Sequence, residues 1–444
     1  MKGPLFVYFA TFIAIGCSPL QPFIGVLVYI MFAIMSPNAL WFYNLPPTFL
    51  GTPYGYSLVV AVPMLIGWIF KSLGDWNIGK AALPVCLLVI YYIWVWATSM
   101  FIGVPPRGWY TIELMFRLIL AMAAALSLCG SVFRLRCIIW SIIFASGFVA
   151  YELNMSYFGG FNRLQMLGYA GMDNNFYAVA LLIGTTISFY MGLAERNYVL
   201  KGLAFFAAVL QAHAIMFSMS RGGMLGLCIV GVITLILIPK TTENVVLLIV
   251  AVVLALSMAG PSVRERFATV FVKEEDLDGS AQSRLESWRN CITVIRERPV
   301  TGVGIMNWPI HAQQRFGIFL EAHSTWFQAA AETGIPGLAL QLGFVLVTVW
   351  RVLPIARGTV PLQDPCMRYY GQMVVASMGG YVISAQFVSL YCMEITYYAC
   401  LIGLCSMKLS HQLQQELEQQ AWIEKVRQLE AEEEEGLEHQ LATA

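Results

Sequence analysis

The sequence predicts an all-α polytopic membrane protein. Three observations carry that prediction: an apolar composition, apolar segments that recur at bilayer-spanning length, and basic residues gathered in alternate connections. Of the 444 residues, 58% are hydrophobic and 12% charged, about half the ~25% charged share of a soluble domain. Lys plus Arg and Asp plus Glu stand equal at 26 each, so the basic footprint of a nucleic-acid binder is missing. Membrane lipid is the expected surrounding, and no nucleic-acid partner is expected. Ten cysteines would suggest a disulfide framework in a small secreted chain, but only Cys291 lies in the one large polar connection. A lone thiol cannot bridge within that connection, which must be stabilised by packing on the helices beneath it.

Crossing a bilayer core takes about 20 apolar helical residues. Such segments run near 57–71, 81–102, 111–129, 133–152, 173–192, 199–218, 222–238, 243–259, 331–353, 367–387 and 390–408. Residues 3–37 are too long for one straight span and are broken by Ser18, Pro19 and Pro22. One full crossing plus a half-inserted piece there brings the expected total to about 12 transmembrane helices. Lys2 precedes apolar sequence without a small-residue cleavage site, so the first segment is expected to stay as an anchor.

Cytoplasmic connections are enriched in Lys and Arg, and here Lys71/Lys80, Arg134/Arg136, Arg196/Lys201, Lys240 and Arg351/Arg357/Arg368 occupy alternate loops. That pattern puts residues 38–56, 103–110, 153–172 and 261–330 on the periplasmic side. The expected divisions are N-terminal transmembrane helices over 1–260, a periplasmic loop with surface helices over 261–330, C-terminal transmembrane helices over 331–408, and a cytoplasmic amphipathic tail over 409–444. In the tail, Leu409, Leu413 and Leu417, then Ile423, Val426 and Leu429, recur at helical spacing.

Residues 261–330 exceed any ordinary connection. Val263, Phe267, Val270 and Phe271 predict one surface helix, and Leu285, Trp288, Ile292 and Ile295, stopped by Pro299, a second. Trp288, Trp308 and Trp326 suit the lipid–water interface. The glycines of Thr301-Gly302-Val303-Gly304 belong to no complete nucleotide-binding pattern, so a tight turn that aims its neighbours is expected there.

His323, in Glu321-Ala322-His323-Ser324-Thr325-Trp326, is the first candidate catalytic residue. An imidazole near neutrality can take a proton from an attacking hydroxyl and release it afterwards. A lone histidine is also often structural, and spacing leaves both readings open. Arg221, in Ser218-Met219-Ser220-Arg221-Gly222-Gly223, is a cation at the edge of hydrocarbon, costly unless paired. It could bind a diphosphate or simply snorkel to the interface. Arg284 opens the second loop helix with Arg289 behind it, and guanidinium forks match phosphate oxygens bidentately. Arg163 with Asp173, Asn174 and Asn175 forms a third, weaker group. Asp276 and Asp278 sit in an acidic turn and no His-Glu-x-x-His is present, so neither a metal nor a cofactor is predicted.

Ser220-Arg221-Gly222-Gly223, Ser283-Arg284-Leu285, the run Arg298-Pro299-Val300-Thr301-Gly302-Val303-Gly304, His323-Ser324-Thr325 and Glu332-Thr333-Gly334-Ile335-Pro336-Gly337 resemble, in order and spacing, the O-antigen ligase and polymerase superfamily. Gln21-Pro22-Phe23-Ile24-Gly25-Val26 and Met172-Asp173-Asn174-Asn175 are similar to its branch of O-glycosylation ligases found beside exosortase systems. The resemblance reaches to about residue 408. It implies a GT-C-like, metal-independent, inverting glycosyltransferase of the bacterial inner membrane, its active site facing the periplasm. The implied donor is an undecaprenyl-diphosphate-linked glycan and the implied acceptor a sugar hydroxyl of lipid A core, in lipopolysaccharide biosynthesis. By position, His323 would be the base, and Arg221 and Arg284 would hold the diphosphate. A polymerase and a protein oligosaccharyltransferase share these motifs. A transporter of lipid-linked glycans is the reading from another class, but Glu152, Glu394 and His213 are too sparse to outline an aqueous path.

Overall fold

The computed structural model describes residues 2–41, 43, 45–51, 55–258, 279–390 and 392–443. The helix expected from Val263, Phe267, Val270 and Phe271 lies outside the described residues, as do Asp276 and Asp278. The described residues form helices and turns. In chain order the helices are α1 (Lys2–Cys17), α2 (Pro22–Met35), α3 (Tyr56–Phe70), α4 (Ala82–Ile102), α5 (Pro106–Leu128), α6 (Val132–Phe158), α7 (Arg163–Leu167) and α8 (Asn174–Ala194). There follow α9 (Tyr198–Phe217), α10 (Arg221–Leu237), α11 (Thr242–Met258), α12 (Gly279–Glu297), α13 (Trp308–Phe316), α14 (Thr325–Arg357), α15 (Met367–Ser384) and α16 (Glu394–Thr443). Among the described residues, seven helices are long and apolar enough to cross a membrane, and Pro4–Cys17, Tyr56–Phe70 and Arg221–Leu237 are shorter apolar helices. The chain is an all-α polytopic membrane protein.

The bundle has two ends, and each is tied by polar contacts. At one end Lys408 is fully buried, its ammonium donating to the carbonyls of Asp75 (2.8 Å), Leu126 (3.1 Å) and Ser127 (3.0 Å), with the Asp75 carboxylate 3.4 Å away. The same end carries the Arg136–Glu195 and Lys201–Glu243 ion pairs, so the Lys- and Arg-rich connections do gather together. At the other end Asn162 donates to the Phe217 carbonyl at 2.7 Å, Asn307 to that of Gly103 at 3.0 Å, and Tyr169 to that of Met35. The functional candidates lie at this second end.

α8 is the most enclosed of the candidate spans, because its small residues admit close neighbours. α10 and α15 approach through Gly226 and Gly380: a Cβ on Gly226 would fall 2.1 Å from Ser384 Oγ, and one on Gly380 3.2 Å from the Gly226 carbonyl oxygen.

α14 begins six residues before the expected span and bends at Gly334 (φ +73°, ψ 176°) ahead of Pro336. The bend receives the glycine turn of the loop. Val303 and Gly304 donate to the carbonyls of Ala331 (2.9 Å) and Glu332 (2.7 Å), and Ile335 donates to Pro299 O at 2.8 Å. A Cβ on Gly334 would lie 1.9 Å from the Val300 carbonyl oxygen. Gly334→Ala is therefore expected to destabilise the fold by at least ~2 kcal/mol, combining a left-handed penalty with a backbone clash. Thermal unfolding of the purified variant in detergent checks this; an unchanged midpoint would show that the loop can move away.

Candidate functional site

α12 lies over the start of α14, and this packing holds the loop together. Its seam is Ser287, Cys291 and Val294, all buried, with Trp288 half-buried beside them. Cys291, Val294, Val303, Trp308, Ala312 and Ala322 make one small apolar core. Trp308 is thus a core residue at 1% exposure, not the interfacial anchor its residue type suggests, because its indole fills the space between α13 and the bend in α14. Burial, with Glu332 nearby, pushes the Cys291 thiol up, which makes it a poor nucleophile.

Trp288 connects the helix to the histidine. Its indole N–H donates to the Ala322 carbonyl at 3.0 Å, and its ring stacks on Phe327 at 5.4 Å. Next along the chain, His323 takes φ +50°, a left-handed conformation uncommon outside glycine. Ser324 then caps α14, its hydroxyl accepting from Phe327 N at 3.4 Å.

What fixes that strained turn is Gln328, one turn into α14. Its amide oxygen accepts from Ala322 N (3.0 Å) and from Ser389 Oγ (2.5 Å), and its amide nitrogen donates to Glu321 Oε2 (2.5 Å) and Glu332 Oε1 (3.2 Å). An amide has two donor hydrogens and two acceptor lone pairs, and all four are used. Glu332, 2% exposed, also accepts from Trp308 N at 3.1 Å. Gln328 belongs to no recognisable motif; its only advance signal is an amide in the apolar first turns of a span.

Residues of two of the candidate groups, Arg284 and Asp173, lie within electrostatic reach of His323. Its imidazole is held below its ordinary value of 6.5 by burial first and by the Arg284 guanidinium second, while Asp173 acts in the opposite direction. Asp173 caps α8, accepting from Phe176 N at 2.7 Å, and its neighbour Asn174 donates to the Ser218 carbonyl at 2.8 Å. That bond ties the start of α8 to the turn before Arg221. Arg221 is the first residue of α10, behind Met219 at φ +58° and the cap Ser220, whose hydroxyl accepts from Gly223 N at 3.3 Å. Ser384 donates to the Gly222 carbonyl at 2.9 Å, a Cβ on Gly222 would sit 3.2 Å from that of Phe387, and Phe387 lies 6.5 Å from the Trp288 ring. α8, α10 and α14 thus bring their N-terminal ends, where unsatisfied N–H groups and the helix dipole favour an anion, around one place that also holds an imidazole and guanidinium groups.

The remaining candidates stand further out. Arg163 rests over the Trp41 ring, 4.2 Å from its centroid, and burial lowers its pKa. Arg289 is exposed and lies about 140° around the helix from Arg284, at ~100° per residue.

The His323 shift can be checked without any activity. In a histidine-detected NMR titration of the purified protein, the midpoint is expected below 6.5. Removing a positive neighbour stabilises imidazolium, so Arg284→Ala moves the midpoint up; removing a negative one does the reverse, so Asp173→Asn moves it down. Midpoints unmoved by both changes would separate these residues.

Fold and site together describe a multi-pass membrane protein that gathers His323, Arg284 and the N-terminal ends of α8, α10 and α14 at one end of its bundle. Residues 206–342 match the family model described as O-antigen ligase, a stretch that runs from α9 past the bend of α14 and contains Arg221, Arg284 and His323. That stretch is similar to the O-antigen ligase/polymerase superfamily, whose members are glycosyltransferase-like membrane enzymes. No curated protein matches the chain.

Proposed function

We propose that the protein is an O-antigen ligase, transferring O-antigen polysaccharide from undecaprenyl diphosphate to a sugar hydroxyl of lipid A core at the periplasmic face of the bacterial inner membrane. The single observation that carries this reading is the placement of His323 within electrostatic reach of Arg284 and Asp173, beside the converging N-termini of α8, α10 and α14. An imidazole kept neutral accepts the acceptor hydroxyl's proton as that oxygen attacks the anomeric carbon. The bond from anomeric carbon to phosphate oxygen breaks, and undecaprenyl diphosphate leaves with the electron pair. Arg221 and Arg284, together with the helix N-termini, stabilise the charge that develops on it. Attack from the face opposite the leaving group inverts the anomeric configuration. Every step is supplied by side chains and backbone, so the reaction is proposed to be metal-independent. Asn174 takes a secondary place by holding the turn before Arg221 and Asp173 by setting the field at His323, while Arg163 and Arg289 stand outside the reacting centre.

The test supplies purified protein, in a chelator, with undecaprenyl-diphosphate O-antigen and lipid A core, and resolves the products on a gel. Glycan-bearing core is the expected result. Longer lipid-linked chains over unmodified core would assign a polymerase instead, and glycan on added protein an oligosaccharyltransferase.

A further inference from the structure

Away from His323, the same end of the bundle holds a cavity of about 250 Å³ between α2, α3, α5 and the start of α16. At ~30 Å³ per water it has room for about eight waters, or one monosaccharide ring. Tyr29, Phe32, Tyr56 and Tyr110 give it aromatic walls, and Glu394 and Arg117 give it charge. Arg117 is paired with Glu113 one turn earlier. Glu394 differs: among the described residues its carboxylate has no hydrogen bond or ion pair to another side chain. Tyr29, Cys392 and Tyr398 beside it are not basic, and Arg117, the cation of the same cavity, is engaged by Glu113. The Glu394 carboxylate bonds its own backbone N–H, and an ionisable group left without a counter-charge among apolar helices is costly and marks a candidate ligand site. The hydroxyls of Ser36 and Ser57 and the amide of Asn38 add short polar groups to the cavity lining.

We propose that this cavity is a saccharide-binding site in which Glu394 accepts hydrogen bonds from vicinal sugar hydroxyls while the tyrosine rings pack on the C–H face of the ring. A carboxylate bonded only to its own backbone N–H keeps acceptor positions for a ligand made of donors, and aromatic walls match the apolar faces that a sugar ring also presents. The site is joined to the candidate catalytic one through the chain before α16. Thr325, two residues after His323, donates to the Val388 carbonyl (2.7 Å) and accepts from Leu390 N (3.0 Å), while Ser389 bonds Gln328. The chain then runs through Cys392 to Glu394. Binding rests on the cavity alone; that the sugar belongs to a substrate rests on the glycosyl-transfer reading. The ring could come from the acceptor or from the donor glycan.

The test uses the full chain in detergent micelles, with D-glucose, D-galactose, D-mannose and N-acetyl-D-glucosamine as probes in saturation-transfer NMR. Wild type and His323→Ala are expected to bind at least one probe. Glu394→Leu is expected to weaken that binding about tenfold, the loss of a charge-assisted hydrogen bond, with little change in the unfolding midpoint, because it removes a carboxylate that bonds only its own backbone N–H. Glu394→Gln is expected to fall between the two. No probe binding by wild type, or equal binding by Glu394→Leu, overturns the assignment. In transfer assays, a raised KM for lipid A core in Glu394→Leu identifies the acceptor as the source, and a raised KM for the lipid-linked glycan identifies the donor; neither rising overturns the substrate assignment. Probe binding by a wild-type protein that transfers no glycan would leave the saccharide site standing and sink the glycosyl-transfer reading.

Discussion

Replacing His323 with asparagine is expected to cut glycan transfer by at least ~10²-fold, the lower range for loss of a general base, with no comparable loss of stability. Asparagine is the informative choice because His323 sits at φ +50°, a conformation that asparagine tolerates and alanine does not favour. His323→Ala should lose the same activity and in addition unfold at a slightly lower temperature. Transfer is read from initial rates with saturating donor, and folding from the thermal midpoint in the same detergent. A variant that folds normally and transfers at the wild-type rate would return His323 to the structural reading that spacing alone left open.

The second large effect falls on Arg284. Arg284→Ala is expected to lower kcat by ~10²–10³-fold, as when one preorganised donor to a developing anion is removed. Arg284→Lys should recover only part of it, since an ammonium keeps the charge but loses the bidentate fork. Arg221→Ala should have a similar effect, because Arg221 opens α10 at the helix end nearest the proposed diphosphate. Arg289→Ala is the control: it shares α12 with Arg284 but is exposed, and its loss should change kcat little. Equal losses for Arg284→Ala and Arg289→Ala would mean that general positive potential, and not a placed guanidinium, does the work.

Much of this architecture was legible in the sequence. Hydrophobic segment length marked the apolar helices, seven of which among the described residues are long enough to cross a membrane, and alternate Lys and Arg clusters foretold which connections share an end, as Lys408 and the Arg136–Glu195 pair illustrate. The motif residues His323, Arg284 and Asp173 were each recognisable, but their meeting was not: they are brought together by α8, α12 and the start of α14, whose relative placement no local pattern encodes. Gln328 escaped for a related reason. Its importance comes from four bonds to residues spread over 321–389, and a single amide in an apolar helix gives no periodic signal. Trp308 misled because residue type suggested an interface, whereas the bend at Gly334 creates a core for it to fill. Arg163 was grouped with Asp173 by closeness in sequence, yet its guanidinium rests on Trp41.

The central claim is that the protein breaks the bond between glycan and lipid diphosphate, as opposed to carrying the intact molecule. The most direct measurement follows a donor labelled in the diphosphate, in proteoliposomes containing lipid A core, and counts undecaprenyl diphosphate released against glycan joined to core. Wild type is expected to give equal amounts of each, and His323→Asn almost none of either. Glycan that changes membrane face while still attached to its diphosphate, with none released, would contradict it and make the protein a transporter.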